Sequence, residues 1–162
     1  MNVNLQNLIA DCTTELNDID TKINALSGLD KTAVYLRHYA LIKACGTLEY
    51  VYRSIVADFV TLTATSQIST YIDNTIRSGS MSVTYEHMCA LLKKFDDTWF
   101  NNFKTLVNSR TDKQRLIDAS NSLVKTRHLF AHGKMTTSSF SDIRLYYNDT
   151  LVLVQIFDSV VI

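Results

Sequence analysis

No proline interrupts the 162-residue chain and only four of its residues are glycine, so it lacks the residues that most often break helices and punctuate strands and turns. Long helices joined by short loops follow as the expectation. Hydrophobic residues make up 46% of the chain, enough to bury one sizeable core without metals or disulfides. The expected fold is therefore all-α, a compact antiparallel bundle of five to six helices forming a single domain over residues 1–162.

Apolar residues recur at three- and four-residue steps through Leu5, Leu8, Ile9, Cys12, Leu16, Ile19, Ile23 and Leu26, which predicts one helix ending at Gly28. Asp30 is placed to cap a longer second helix reaching about Phe59, with Tyr35, Tyr39, Ile42, Gly46, Glu49, Tyr52 and Ile55 along it. Ser66 to Arg77 reads as a short amphipathic helix. A further helix is expected from Ser82 through Phe95 and on to Leu106, with a break at Asp96-Asp97 as the alternative. Another begins near Thr111 and stops at Gly133, which puts His132 in its final turn. After a Ser/Thr-rich connector from Met135 to Phe140, Ile143, Tyr147, Leu151, Val154, Phe157 and Val161 fit a last helix. The run Leu151-Val152-Leu153-Val154 keeps a strand open there.

Lys plus Arg and Asp plus Glu are equal at 16 each, so total charge points to neither a nucleic acid nor a membrane. The distribution says more. Residues 1–30 hold five acids against Lys22, whereas residues 104–134 hold seven bases against Asp112 and Asp118. That basic run suits a phosphate backbone, or equally a solvated helix face balanced by the acidic first helix. Cys12, Cys45 and Cys89 are odd in number, widely spaced and set among apolar neighbours, which suggests buried thiols in a reducing cytoplasm. Neither a signal peptide nor a membrane span is expected.

One stretch concentrates chemistry: Arg127-His128-Leu129-Phe130-Ala131-His132-Gly133, an Arg-x4-His pattern at the end of a basic helix. Here the chain resembles the HEPN superfamily, whose signature is an arginine, a polar residue, three variable positions and a histidine near a helix end. His128 fills the polar slot. The segment Leu41 to Glu49, leading into Tyr52-Arg53, looks like the corresponding helix of the RiboL-PSP branch. The resemblance implies an endoribonuclease that works as a homodimer, used as a toxin or in defence against phage, with an antitoxin or defence-complex partner. In HEPN toxins silenced by nucleotide transfer, the modified tyrosine lies two residues after the motif histidine. Lys134 occupies that place here, which puts that route of regulation in doubt.

The residues also speak for themselves. Five steps of about 100° set Arg127 and His132 about 140° apart on an ideal helix, so a single substrate atom does not easily meet both. Two such helices about a two-fold axis would line one composite cleft. Metal-free RNA cleavage needs help for the attacking 2′-OH, a cation for the phosphorane, and a proton for the leaving 5′ oxygen. His132 can exchange protons near neutrality, and Arg127 offers a permanent planar cation. The expected catalytic residues are Arg127, His132 and His128, with no cofactor. His128 shares a face with His132 and would position it or touch phosphate. The rival reading of that pair is a zinc site, but no nearby Cys, Asp or Glu completes a ligand set, so no metal is expected.

Glu49 is the second-tier candidate, as an orienting carboxylate for Arg127 or as an ordinary interhelical ion pair. Lys125, Lys134 and Arg53 are the expected RNA contacts, although Arg37 and Arg53 are equally placed to pair with the acidic first helix. His38 and His87 read as helix-surface or partly buried residues. The competing function is a non-catalytic helical module that binds a protein partner or a nucleotide.

Overall fold

The computed structural model describes residues 1–26, 30–134 and 136–162. Seven helices account for them: α1 (Val3–Ala25), α2 (Lys31–Thr61), α3 (Ser66–Ile72), α4 (Tyr85–Phe95), α5 (Asp97–Asn108), α6 (Lys113–Ala131) and α7 (Phe140–Val160). A π-helical turn, Asp73–Arg77, continues α3. Among the described residues there is no strand, so the Leu151–Val154 run is helical. The expected count of five to six is one or two short. Asp96 cuts the predicted fourth helix in two, because its carboxylate accepts from the amides of Thr98 and Trp99 and starts α5 afresh.

Most boundaries follow from caps visible in the sequence. Asp30 caps α2 through the Thr32 amide. Ser82 does not begin α4: Thr84 does, accepting from the His87 amide. Likewise α6 starts at Lys113 rather than Thr111, behind an Asp112 that turns its carboxylate to Arg110 and Arg115 instead of to the helix. Ser139 and Asp142 form a reciprocal capping box that starts α7. Gly28 lies outside the described residues, as does Met135.

Cross-contacts fix the directions. Glu15 with Lys43 and Asn2 with Asp58 make α1 and α2 antiparallel. Arg144 with Asp20 and the Met1 amino group with Asp158 set α7 antiparallel to α1, so α2 and α7 run the same way. α6 opposes α2. α1, α2, α4, α5, α6 and α7 enclose one core, in which Tyr52, Phe103 and Phe157 pack edge to face.

The buried face of α2 matches the expected stripe at Tyr52 and Ile55 but departs from it in the first half of the helix. Leu41, Ala44, Cys45, Leu48, Val51 and Tyr52 are fully buried, while Tyr35, Tyr39 and Ile42 are 69%, 49% and 43% exposed. Because α2 is apolar on several sides, periodicity alone does not single out the side that packs. Two acids of the first helix are paired by Lys43 and Arg144 and, among the described residues, none by Arg37 or Arg53: Lys43 meets Glu15 at 2.6 Å and Arg144 meets Asp20 at 2.6 Å. No helix among the described residues is long and apolar enough to cross a membrane.

Candidate functional site at the end of α6

Gly133 has φ +68°, a conformation that costs glycine little and an L side chain much more. It lets the Gly133 amide donate to the Phe130 carbonyl and the Lys134 amide to the Leu129 carbonyl, both at 2.9 Å, which closes the helix in a Schellman turn. His132 is the capping residue of this turn rather than part of the helix proper. The same turn exposes His128 and His132 together.

The two histidine rings are nearly parallel, with centroids 6.4 Å apart and 14° between their planes. Both line a surface pocket of about 290 Å³ with Lys125, Leu129 and Lys134. Of the basic run expected to meet phosphate, Arg110 and Arg115 are committed to Asp112. Lys125 and Lys134 have no carboxylate partner among the described residues, and both are exposed. The pocket is thus rimmed by two available cations and floored by a leucine.

Arg127 points elsewhere. Its Nη2 donates to Oε1 of Glu49 at 2.5 Å, and the same oxygen accepts a longer contact of 3.5 Å from the Cys45 thiol one helical turn earlier. Both members of the ion pair are sheltered, Arg127 at 25% and Glu49 at 16% side-chain exposure. Burial, with the Glu49 charge beside it, pushes the Cys45 thiol up to about 12, so it stays protonated and able to donate. Burial opposes the charge of Arg127, but its bonds to Cys45 and Glu49 outweigh that and raise its pKa.

A second tie holds the end of α6 against α2. The His38 ring stacks on Phe130, centroids 4.2 Å apart and 25° between planes, and its Nε2 lies 3.4 Å from the Thr136 hydroxyl. Burial, and then the neighbouring Arg37, lower the His38 pKa.

Within one chain, then, His128, His132, Lys125 and Lys134 come together, while Arg127 and Glu49 form a separate pair. The latter do not line the histidine pocket. Arg53, one turn beyond Glu49, is half-buried with its Nε unbonded, and no carboxylate pairs with it among the described residues. His87 is exposed in the first turn of α4. Sequence reasoning missed Cys45 as a neighbour of the arginine and His38 as a clamp on the motif helix. For Cys45 the available signal was its position four residues before Glu49. For the stack there was none, since His38 and Phe130 meet only through tertiary packing. No cluster of three or more metal-ligating side chains occurs among the described residues.

The sequence model of the family described as RiboL-PSP-HEPN matches residues 7–162, nearly the whole chain and both helices of the site. No curated protein and no solved structure matches.

Proposed function

The chain belongs to the RiboL-PSP-HEPN family, and from that premise we propose that it is a metal-independent endoribonuclease acting as a homodimer. The observation that carries this reading is the exposed pair His128 and His132 in a pocket rimmed by Lys125 and Lys134. An imidazole can both accept and donate a proton, and two lysines supply the charge that holds a polyanion.

The reaction is an in-line transfer within the RNA strand. A neutral histidine takes the proton of the ribose 2′-OH, the 2′ oxygen bonds to phosphorus, and the bond to the 5′ oxygen breaks. A protonated histidine gives its proton to that departing oxygen. The products are a 2′,3′-cyclic phosphate and a 5′-OH, and DNA is spared because it lacks the attacking hydroxyl. We assign the proton transfers to the two copies of His132 that a dimer brings to one cleft, one neutral and one protonated, with His128 positioning its neighbour or touching phosphate.

Arg127 fits the phosphorane-stabilising role only if a second copy brings its own arginine to the cleft. The divergence of Arg127 from the histidine pocket supports a composite site across a two-fold axis. Glu49 then orients the guanidinium through a hydrogen bond at 2.5 Å. A biological role as toxin or phage-defence effector, held by an antitoxin or a larger complex, is part of the same proposal.

The test is incubation of the purified protein with tRNA and mixed cellular RNA in EDTA, beside His132→Ala and Arg127→Ala. Cleavage by the wild type alone, leaving cyclic phosphate ends, is the expected result. Absence of cleavage by a folded dimer, or equal cleavage by the variants, moves the reading to a module that binds without cutting.

A further inference from the structure

The histidine pocket is the first of three depressions that follow one another along a single face of α6. The second, about 260 Å³, shares Lys125 and Leu129 with it and is walled by residues 136–138. The third, about 400 Å³, shares Ser122 and Tyr146 with the second and ends on Arg115, Asp118 and Asp149. Arg115, Ala119, Ser122, Lys125, Leu129 and His132 recur at three- and four-residue steps, so these depressions form one track. From Ala119 to His132 it runs roughly 20 Å at 1.5 Å per residue. That is no more than about six nucleotides at the rise of a stacked strand.

The far end of the track holds an unusual group. Asp149 is only 6% exposed, and its Oδ2 accepts no hydrogen bond. Its charge is paired with Arg115, whose Nε lies 3.3 Å away in an ion pair without hydrogen-bond geometry; Arg115 is itself 60% exposed and also bonded to Asp112. The ion pair balances the charge but leaves this buried oxygen without a hydrogen bond, and because the arginine that covers it is solvent-exposed, a donor arriving along the track can take its place. Beside it, Tyr146 lines both the second and third depressions with a ring on which a base can stack.

We propose that this face of α6 carries single-stranded RNA away from the histidines and that Asp149 reads a guanine at its far end. The role of the first pocket rests on the nuclease reading above. Lys125 and Lys134 take phosphates, Tyr146 stacks a base, and the Asp149 carboxylate accepts from its Watson–Crick edge. Guanine alone presents two adjacent N–H donors there, at N1 and N2, to match two carboxylate oxygens. Adenine, cytosine and uracil each set a single donor group beside an acceptor that a carboxylate repels. Arg115 swings off Asp149 as the base enters and turns its charge to the backbone.

The experiment measures fluorescence anisotropy of two short labelled RNAs, oligouridine of about six nucleotides and the same strand with one guanine, on the full-length His132→Ala protein. The expected result is about tenfold tighter binding of the guanine strand, the scale of one good bidentate contact. Asp149→Asn in that background abolishes the preference, so that the two strands bind with equal affinity. Ser122→Trp, which fills the middle of the track without entering the core, also abolishes it and serves should Asp149→Asn not fold. Equal affinity for the two strands overturns the proposal, as does a preference that survives in folded Asp149→Asn or Ser122→Trp. Cleavage by the wild type without guanine preference removes the base-reading site and leaves the nuclease reading standing. Guanine-dependent binding without any cleavage does the reverse.

Discussion

Arg127 Nη2 lies 2.5 Å from Oε1 of Glu49, an ion pair that joins the motif end of α6 to the middle of α2 in a place largely screened from water. It ties catalytic candidate and scaffold together, so substitutions here are expected to change stability and activity together. Glu49→Gln keeps the shape but loses the charge, and should cost about 1.5–3 kcal/mol in urea unfolding, the range for a hydrogen bond to a charged group. Arg127→Lys should keep the charge yet lose the planar fork, with RNA cleavage falling further than stability does. Unchanged cleavage in a folded Arg127→Lys protein would count against an oriented guanidinium.

The histidines are expected to act on rate and not on folding, since both are exposed. His132→Ala should lower cleavage by about 10²–10⁴-fold, the usual contribution of a positioned acid or base, with a melting temperature close to wild type. Cleavage by the wild type should persist in EDTA. Loss on chelation, restored by a divalent metal, would show the assigned proton chemistry to be wrong.

His38 links pH to stability. Its folded pKa is lowered by burial and by Arg37, so the folded protein resists protonating it while the unfolded chain does not. Its contribution is therefore fully present above the unfolded histidine pKa of about 6.5 and is lost as pH falls through the folded value. Melting curves at about pH 7.5 and 5.5 should show a larger drop for the wild type than for His38→Phe, which retains a ring against Phe130. Equal drops would mean that the stack is not a titrating element.

Two glycines should respond with opposite signs. Gly46 lies inside α2 with nothing within 4 Å of an added Cβ, so Gly46→Ala is expected to stabilise by about 0.5–1 kcal/mol. Gly133 is equally uncrowded but has φ +68°, so Gly133→Ala should destabilise by about 1–2 kcal/mol through backbone strain. Because strain there disturbs the Schellman turn beneath His132, RNA cleavage should fall as well. Thermal denaturation of both variants checks the signs.

The thiols offer a further check on packing. Cys12 and Cys45 are fully buried and Cys89 only partly, with burial raising the pKa of each. A thiol reagent should therefore label Cys89 first and slowly in the native protein, and reach the other two only on unfolding. Prompt labelling of Cys45 would contradict the packing around the Arg127–Glu49 pair.

What the sequence determined by itself was local. The lack of proline, the spacing of apolar residues, Asp30 as a cap and Gly133 as a stop dictate helices and place Arg127, His128 and His132 at one helix end, because caps and periodicity act within a few residues. That Arg127 and His132 face different ways was also legible, although His132 proves to be the cap of α6 and not a residue of the helix itself. Tertiary structure decided the rest. It chose which side of α2 is buried, because a helix apolar on several sides takes its orientation from its neighbours. It brought Glu49 and Cys45 to Arg127 and His38 to Phe130. It also aligned α6, residues 136–138 and α7 into a track that ends on Asp149. That track is lined mostly by small and polar side chains, so no hydrophobic pattern announces it, and its two walls meet only when α6 and α7 pack.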